Sequence, residues 1–410
     1  MDNLKKIATS PTLAINQLAL KAAEGGKVVY KFGFGQSPFS PPESIFEALR
    51  NNVHKTSYTN IQGLLELRKK ICDFYGDVYE INYIPEDILI APGSKVLLFC
   101  LLSCFKNADV FIPQPSWVSY GPQVEIAGLN SIRIKSSFDE KWRVTPGNLN
   151  EALKEGKHQQ RILIMNYPGN PDGLSYTKQE LEELIAIFKK HNMLVISDEI
   201  YSLLSFGVEH IPMATLYPEN TITTTGLSKW CSVGGWRLGV ALLPASLDAS
   251  IKKTLVGIAS EVYSSASAPI QEAAIEAYRN FDGIRPFLDN QNAILASIAN
   301  EVYERLTRAN VKLHKPEGAF YVFPDFSNFT DQLKNNGISD GETLCKRLAE
   351  DMGVMMLPGG AFGLPNQRLL ARLAFVDFNY NGQSKNFNVH RDCKHLLEGI
   401  DKLCNWLKNL

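Results

Sequence analysis

Four short stretches of this chain place reactive side chains beside turns. The first is Ser228-Lys229, followed by Trp230 and then Gly234-Gly235-Trp236-Arg237. A lysine amine condenses with an aldehyde only as the free base, so burial or neighbouring positive charge must lower its pKa. Arg237 can supply such charge and grip a phosphate with two parallel N–H donors. The plain alternative is a solvated lysine and a structural arginine, the commoner state of either residue taken alone.

The second stretch is Val195-Ile196-Ser197-Asp198-Glu199-Ile200-Tyr201. A carboxylate closing an apolar run is costly to bury unless something pairs with it. A protonated pyridine nitrogen would do so. At an effective dielectric of 20 that contact is worth about 4 kcal/mol, or about three pKa units, enough to keep such a ring protonated and electron-withdrawing. Tyr201 follows closely and can bond a ring hydroxyl oxygen. Otherwise Asp198 caps a helix that starts there.

The third is Asn166-Tyr167-Pro168-Gly169-Asn170-Pro171-Asp172-Gly173, a proline- and glycine-rich turn that holds Asn170 inside it, where its amide can donate to the same oxygen. The fourth is Pro92-Gly93-Ser94-Lys95, a turn entering a helix, whose free N–H groups and dipole suit a phosphate. Trp117 offers a face for stacking a flat ring, or is an ordinary core tryptophan.

The elements that must position these residues are legible as punctuation. Apolar runs at 28–32, 88–90, 110–112, 162–165, 194–196, 221–224 and 238–242 each stop at a turn residue or polar group. They are apolar on both faces, as strands covered by helices on both sides must be. Helical patterns lie between them, such as 178–191, opened by Thr177 with Glu180 at capping-box spacing. This alternation predicts an α/β fold with a mostly parallel sheet, whose ligands bind where strands end. After about Gly283 the pattern loosens into a long helix over 286–309, a run at 320–323 and a late strand at 370–375. We therefore expect a large domain over 46–283 and a smaller α+β domain built from 1–45 and 284–410. The Asn-rich stretch 379–388 reads as an exposed loop.

Composition narrows the function classes. The chain has 410 residues and a formal net charge of −1, which gives no sign of a nucleic-acid or anionic-membrane partner. The run 96–105 is too short to span a bilayer, and Lys5 and Lys6 are followed by no apolar stretch, so neither a membrane span nor a secretory leader is expected. Seven cysteines without a Cys-x-x-Cys pair fit a reducing, cytoplasmic compartment.

Taken in this order and spacing, the sequence resembles the fold-type I pyridoxal-phosphate aminotransferases of class I/II. The likeness runs from Gly33-Phe34-Gly35-Gln36-Ser37-Pro38, through Tyr58-Thr59, Gly63 and Leu67-Arg68, to Ala371-Arg372-Leu373. The resemblance implies pyridoxal 5′-phosphate as cofactor, with Lys229 as the Schiff-base lysine and the base moving a proton between Cα and C4′. It implies that Asp198 pairs with the pyridine nitrogen, that Asn170 and Tyr201 meet the ring hydroxyl oxygen, and that Trp117 stacks on the ring. Gly93, Ser94, the Lys95 backbone, Ser228 and Arg237 would surround the phosphate. Tyr58 would reach the phosphate of a neighbouring subunit, which implies a homodimer. Arg372 would grip the substrate α-carboxylate, with the Gly35 backbone beside it.

The stretch Gly93-Ser94-Lys95 with Pro115-Ser116-Trp117-Val118-Ser119-Tyr120 looks like the Iβ aspartate and prephenate aminotransferases. In those a lysine placed as Lys95 is binds a distal carboxylate, which points to amino and 2-oxo acids of the aspartate and glutamate type. Lys95 could equally stand solvated on its helix. Aromatic amino acids or kynurenine, or β-lyase or decarboxylase chemistry on the same fold, are the alternatives. A cofactor-sensing regulator would need a basic DNA-binding domain ahead of the family-like region, which starts near Ser10.

Asp172 stands where the family usually has a small hydroxyl residue, and Gly226 where some members have a serine. Gly33-Phe34-Gly35 is no dinucleotide fingerprint, because Pro38 replaces its third glycine. His390, Cys393 and His395 resemble metal ligands but lack a second pair, so a solvated helix start is expected there. Cys100 and Cys104 share a helix face and read as core.

Overall fold

Seven strands form one sheet in a computed structural model that describes residues 4–380 and 387–410. They are β1 Ile88–Ala91, β2 Asp109–Gln114, β3 Asn130–Lys135, β4 Arg161–Asn166, β5 Leu194–Asp198, β6 Thr221–Gly226 and β7 Gly239–Leu242. Their spatial order is β1-β7-β6-β5-β4-β2-β3. Pairings from β3 through β6 are parallel, and β7 runs antiparallel to both β6 and β1. Two reversals restore the direction of β1. The carboxyl ends of β1, β2, β4, β5 and β6 therefore meet one edge of the sheet, and β7 begins there.

Alternate residues of each strand serve opposite faces, so both are apolar. In β4, Ile162 and Ile164 pack into one core, while Leu163 and Met165 pack into another. Each such side chain contributes about 1.5–3 kcal/mol by leaving water. Helix Ser94–Ser103 covers the first face through Leu97, Leu98 and Leu101, and helix Lys178–Lys190 covers the second through Leu181, Leu184 and Phe188. The expected capping box is present, with the Thr177 side chain accepting from Glu180 N.

A second, antiparallel sheet in the order β8-β10-β9 joins β8 Tyr321–Val322, β9 Leu357–Pro358 and β10 Ala371–Ala374. Helix Phe281–Arg308 lies beside it and contributes Leu288, Ile294, Leu295 and Ile298 to the shared core.

Three details differ from the sequence reading. The run 28–32 is not a strand: Tyr30 makes one bridge, to Val354, and the Phe32 carbonyl accepts instead from Ala374 N at 2.8 Å. Val29, Tyr30 and Phe32 are buried without forming a ladder with one neighbour, and Val28 is exposed. Strand β3 was not anticipated, because at this sheet edge only Ile132 and Ile134 are buried among polar residues. The long helix starts at Phe281, since Pro286 lies inside it and its missing N–H removes only one backbone bond.

Candidate active site

A cavity of about 420 Å³ opens at the sheet edge where the strands end. Gly35, Ser94, Lys95, Trp117, Asn170, Asp198, Tyr201, Ser228, Lys229, Arg237 and Arg372, all singled out in the sequence, line it. Gly93 stands directly behind, as the N-cap of helix Ser94–Ser103. Tyr58 is not among the lining residues, and its side chain is 92 % exposed in the single chain.

Asp198 ends β5 and is 3 % exposed. No helix begins there, so it is not a helix cap; turns follow it instead. Tyr120 Oη donates to its Oδ2 at 2.7 Å, and Thr224 Oγ1 lies 3.4 Å from its Oδ1. Asn166 Nδ2 donates to its carbonyl at 2.8 Å. Burial pushes the carboxyl up to about 6, against the pull of the Tyr120 and Thr224 hydroxyls and the Ile200 N–H. No cation among the described residues forms an ion pair with it.

Lys229 follows β6. Its Nζ donates to Gly35 O at 2.9 Å and lies 5.2 Å from the Phe320 ring centre and 5.5 Å from that of Tyr201. Burial, followed by the charges of Arg372 and Arg237, lowers the amine to about 8, and Asp198 opposes that shift. About a tenth of such an amine is the free base at pH 7, far more than of an ordinary lysine.

On one side the cavity offers an anion cradle. Helix Ser94–Ser103 presents its first turn, whose N–H groups have no preceding turn to serve. Gly93 adopts φ 97°, and a Cβ there would overlap Arg237 Nη2, so glycine is what lets the guanidinium lie over the helix start. Arg237 also donates to Gly234 O at 2.8 Å.

On another side lies Arg372, only 1 % exposed. Nη1 donates to Asn170 Oδ1 at 2.9 Å and Nη2 to Gly33 O at 2.6 Å. Its Nε has no hydrogen-bond partner among the described residues, and it makes no ion pair with them. The guanidinium rests over the rings of Tyr321 at 4.6 Å and Phe362 at 5.2 Å. Burial alone pushes its pKa down. Lys95 sits half-buried with Nζ 5.0 Å from the Trp117 ring centre, its pKa lowered by burial and then by Arg237.

These groups suit pyridoxal phosphate. A buried carboxylate without a cation matches a ring nitrogen, the cradle matches a phosphate, Trp117 offers a stacking face, and Lys229 offers an amine for an aldehyde. Tyr201 faces the same cavity, with its hydroxyl 2.9 Å from that of Tyr321.

Sequence reasoning missed several residues that line the cavity or hold Asp198. Asn166 and Thr224 stand opposite Asp198 in the registers of β4 and β6, which strand pairing alone would reveal. Tyr120 lies one helical turn beyond Trp117, a findable spacing. Ser10, Thr12 and Leu13, at the start of helix Pro11–Glu24, also line the cavity, and no local signal marks them.

The remaining motifs fall away. Among the described residues no group of His, Cys, Asp and Glu could hold a metal. Cys393 is buried, and His395 stacks on Tyr30 at 4.7 Å. Gly226 is glycine because a Cβ there would overlap Leu238 O across the β6–β7 pair. Of the 379–388 stretch, 381–386 lie outside the described residues; Asn388 caps a short helix.

Comparison with known proteins places this geometry among relatives. The family model described as aminotransferase class I and II matches residues 27–376. The chain is 31 % identical over 374 residues to an aspartate aminotransferase of Bacillus sp. strain YM-2, covering 89 % of this chain and 92 % of that one. It is 31 % identical over 381 residues to an aspartate/prephenate aminotransferase of Cereibacter sphaeroides, covering 90 % and 93 %. The crystal structure of Thermus thermophilus aspartate aminotransferase with maleate superposes with a TM-score of 0.86 at 26 % identity, covering 99 % of this chain and 100 % of that one.

Proposed function

The chain belongs to the class I and II aminotransferases, enzymes that work with pyridoxal 5′-phosphate, and from that premise we propose a division of labour among the residues of its cleft. When bound, the cofactor supplies an aldehyde carbon and an electron-withdrawing ring. Lys229 would hold it covalently through its amine and, when free, would be the base that moves the substrate Cα proton. Asp198, held by Tyr120 and Thr224, would keep a proton on the ring nitrogen. Asn170 and Tyr201 would hold the ring hydroxyl oxygen, Trp117 would cover the ring, and Ser94, the Lys95 backbone, Ser228 and Arg237, with Gly93 behind them, would hold the phosphate.

Arg372 binds the substrate α-carboxylate, which supplies the anion its buried guanidinium otherwise lacks. Gly35 and Asn170 line the same pocket. Lys95 takes the distal carboxylate, so the substrates are dicarboxylic amino acids such as aspartate and glutamate, with their 2-oxo acids. Lys95 makes no ion pair with the described residues, and the relatives named above are aspartate enzymes. The same residues serve both halves of a ping-pong exchange.

The observation that carries this reading is the meeting, in one cleft, of a lysine amine lowered to about 8 and a buried carboxylate without a cation. The test is a half-reaction panel: holoenzyme is mixed with each amino acid in turn and the cofactor absorbance followed. Aspartate and glutamate convert it fastest. Equal conversion by leucine would remove the dicarboxylate assignment, and an absorbance band unaffected by Lys229→Ala would remove the whole reading.

A homodimer belongs to the same proposal. Tyr58, Val53 and Leu65 leave apolar side chains in solvent along one stretch, where a second copy would bury them and receive Tyr58 at its phosphate. So does the division into 46–283 and 1–45 with 284–410, which the two separate sheets support. A reducing, cytoplasmic setting agrees with seven free cysteines. No helix of the described residues is long and apolar enough to cross a membrane.

A further inference from the structure

Asp172 is a half-buried carboxyl that the reaction above does not use. It lies in the turn that carries Asn170, two residues away. Its Oδ1 accepts from Leu174 N at 3.0 Å. The turn is also closed by Gly169 N donating to Leu174 O at 2.8 Å and Gly173 N to Gly169 O at 2.9 Å. A Cβ built on Gly169 would overlap Asp172 Oδ1 and stand 3.0 Å from its Cγ. The carboxyl therefore occupies the space a side chain at 169 would take. Gly169 needs no positive φ, so sterics with Asp172, not backbone conformation, demand glycine there.

Beside this pair is a cavity of about 30 Å³ lined by Asp172, Gly169, Asn170, Ser116, Arg143 and Asn166. Ser116 Oγ and Arg143 Nε are buried without hydrogen-bond partners among the described residues. Asn170 itself is pinned from two sides: its N–H donates to Asn166 Oδ1 at 2.9 Å, and its Oδ1 accepts from Arg372. The position of Asn170 thus depends on how the 169–174 turn closes.

We propose that Gly169 and Asp172 form an interlocked pair that positions Asn170 against Arg372, making Asp172 a positioning residue for carboxylate binding. The proposal rests on the reading that Arg372 receives the substrate carboxylate. Asp172 touches neither substrate nor cofactor. It acts by fixing the turn, and a shift of the Asn170 amide would reorient the guanidinium fork it holds.

The test is a cycle of Gly169→Ala, Asp172→Ala and both together, with Asp172→Asn as the conservative variant, on the holoenzyme. KM for amino acid and oxo acid, kcat and Tm are measured for each. Misplacing one hydrogen-bonded contact without removing it costs about tenfold in binding, so Gly169→Ala raises both KM values by about tenfold while kcat stays within about twofold. Asp172→Asn, which keeps an oxygen for Leu174 N, stays within about threefold of wild type in KM. Once Asp172 is alanine, adding Gly169→Ala has no further effect on KM or Tm, the signature of two coupled neighbours. The interlock is overturned if Gly169→Ala changes nothing, or if its effect on Tm is the same with and without the carboxyl. The positioning role is overturned if the loss falls on kcat with KM intact. If wild type shows no transamination, the functional reading fails instead, and the Tm cycle still judges the interlock.

Discussion

Two buried charges of opposite sign face the same cleft and are satisfied to different degrees. Asp198 ends a central strand and is held by hydroxyls from two other elements, Tyr120 and Thr224. Arg372, on the short second sheet, has both terminal nitrogens engaged but leaves Nε without a partner among the described residues. A charge held by several neutral donors keeps one orientation and suits a group that stays bound. A buried guanidinium with an open donor and no carboxylate suits an anion that comes and goes. On the proposed reading, the sheet carries the resident chemistry and the element contributed from far along the chain carries the exchange of substrates.

That contrast can be broken by substitution, and the largest effect is expected on the sheet side. Asp198→Ala should lower kcat by about 10³-fold with little change in KM, read by steady-state kinetics, because it removes a preorganised charge. A loss confined to KM would invert the assignment. Arg372→Lys should raise KM for every amino acid on the order of 10²-fold, since an ammonium cannot replace a planar fork. Lys95→Ala should weaken aspartate by about tenfold and leave leucine unchanged. Equal effects on both substrates would mean that Lys95 serves the cofactor alone.

The smallest effect sharpens the comparison through pH. Burial raises Asp198 to about 6 and Asp172 to about 7 in the folded chain. The folded state then binds more protons than the unfolded one between about pH 4 and pH 7, so stability of the cofactor-free protein falls as pH rises through that window. Lys229, lowered to about 8, works the other way: stability rises with pH between about 8 and 10. Urea midpoints measured across pH should show both slopes, with the first reduced in Asp198→Asn and Asp172→Asn.

Much of the sheet was legible because its strands are buried on both faces, and apolar runs such as 162–165 are unambiguous when no face meets water. Strand β3 was hidden because an edge strand mixes polar and apolar residues, and 28–32 misled because burial without a ladder leaves the same run of side chains. The site was legible where function and position coincide in one local stretch, as at Asp198, Lys229 and Arg237. It was illegible where neighbours meet only through pairing or packing. Thr224 reaches Asp198 by strand register and Thr12 reaches the cavity from the amino-terminal helix, and neither is a local pattern.

The central claim is that Lys229 and Asp198 together hold and activate one pyridoxal cofactor. The most direct measurement is the visible absorbance of the reconstituted protein titrated with pH, for wild type, Asp198→Asn and Lys229→Ala. The account predicts a cofactor band in wild type that changes on adding aspartate, a shifted pH midpoint in Asp198→Asn, and no aspartate-responsive band in Lys229→Ala that survives dialysis. A band in Lys229→Ala with the midpoint and aspartate response of wild type would contradict it.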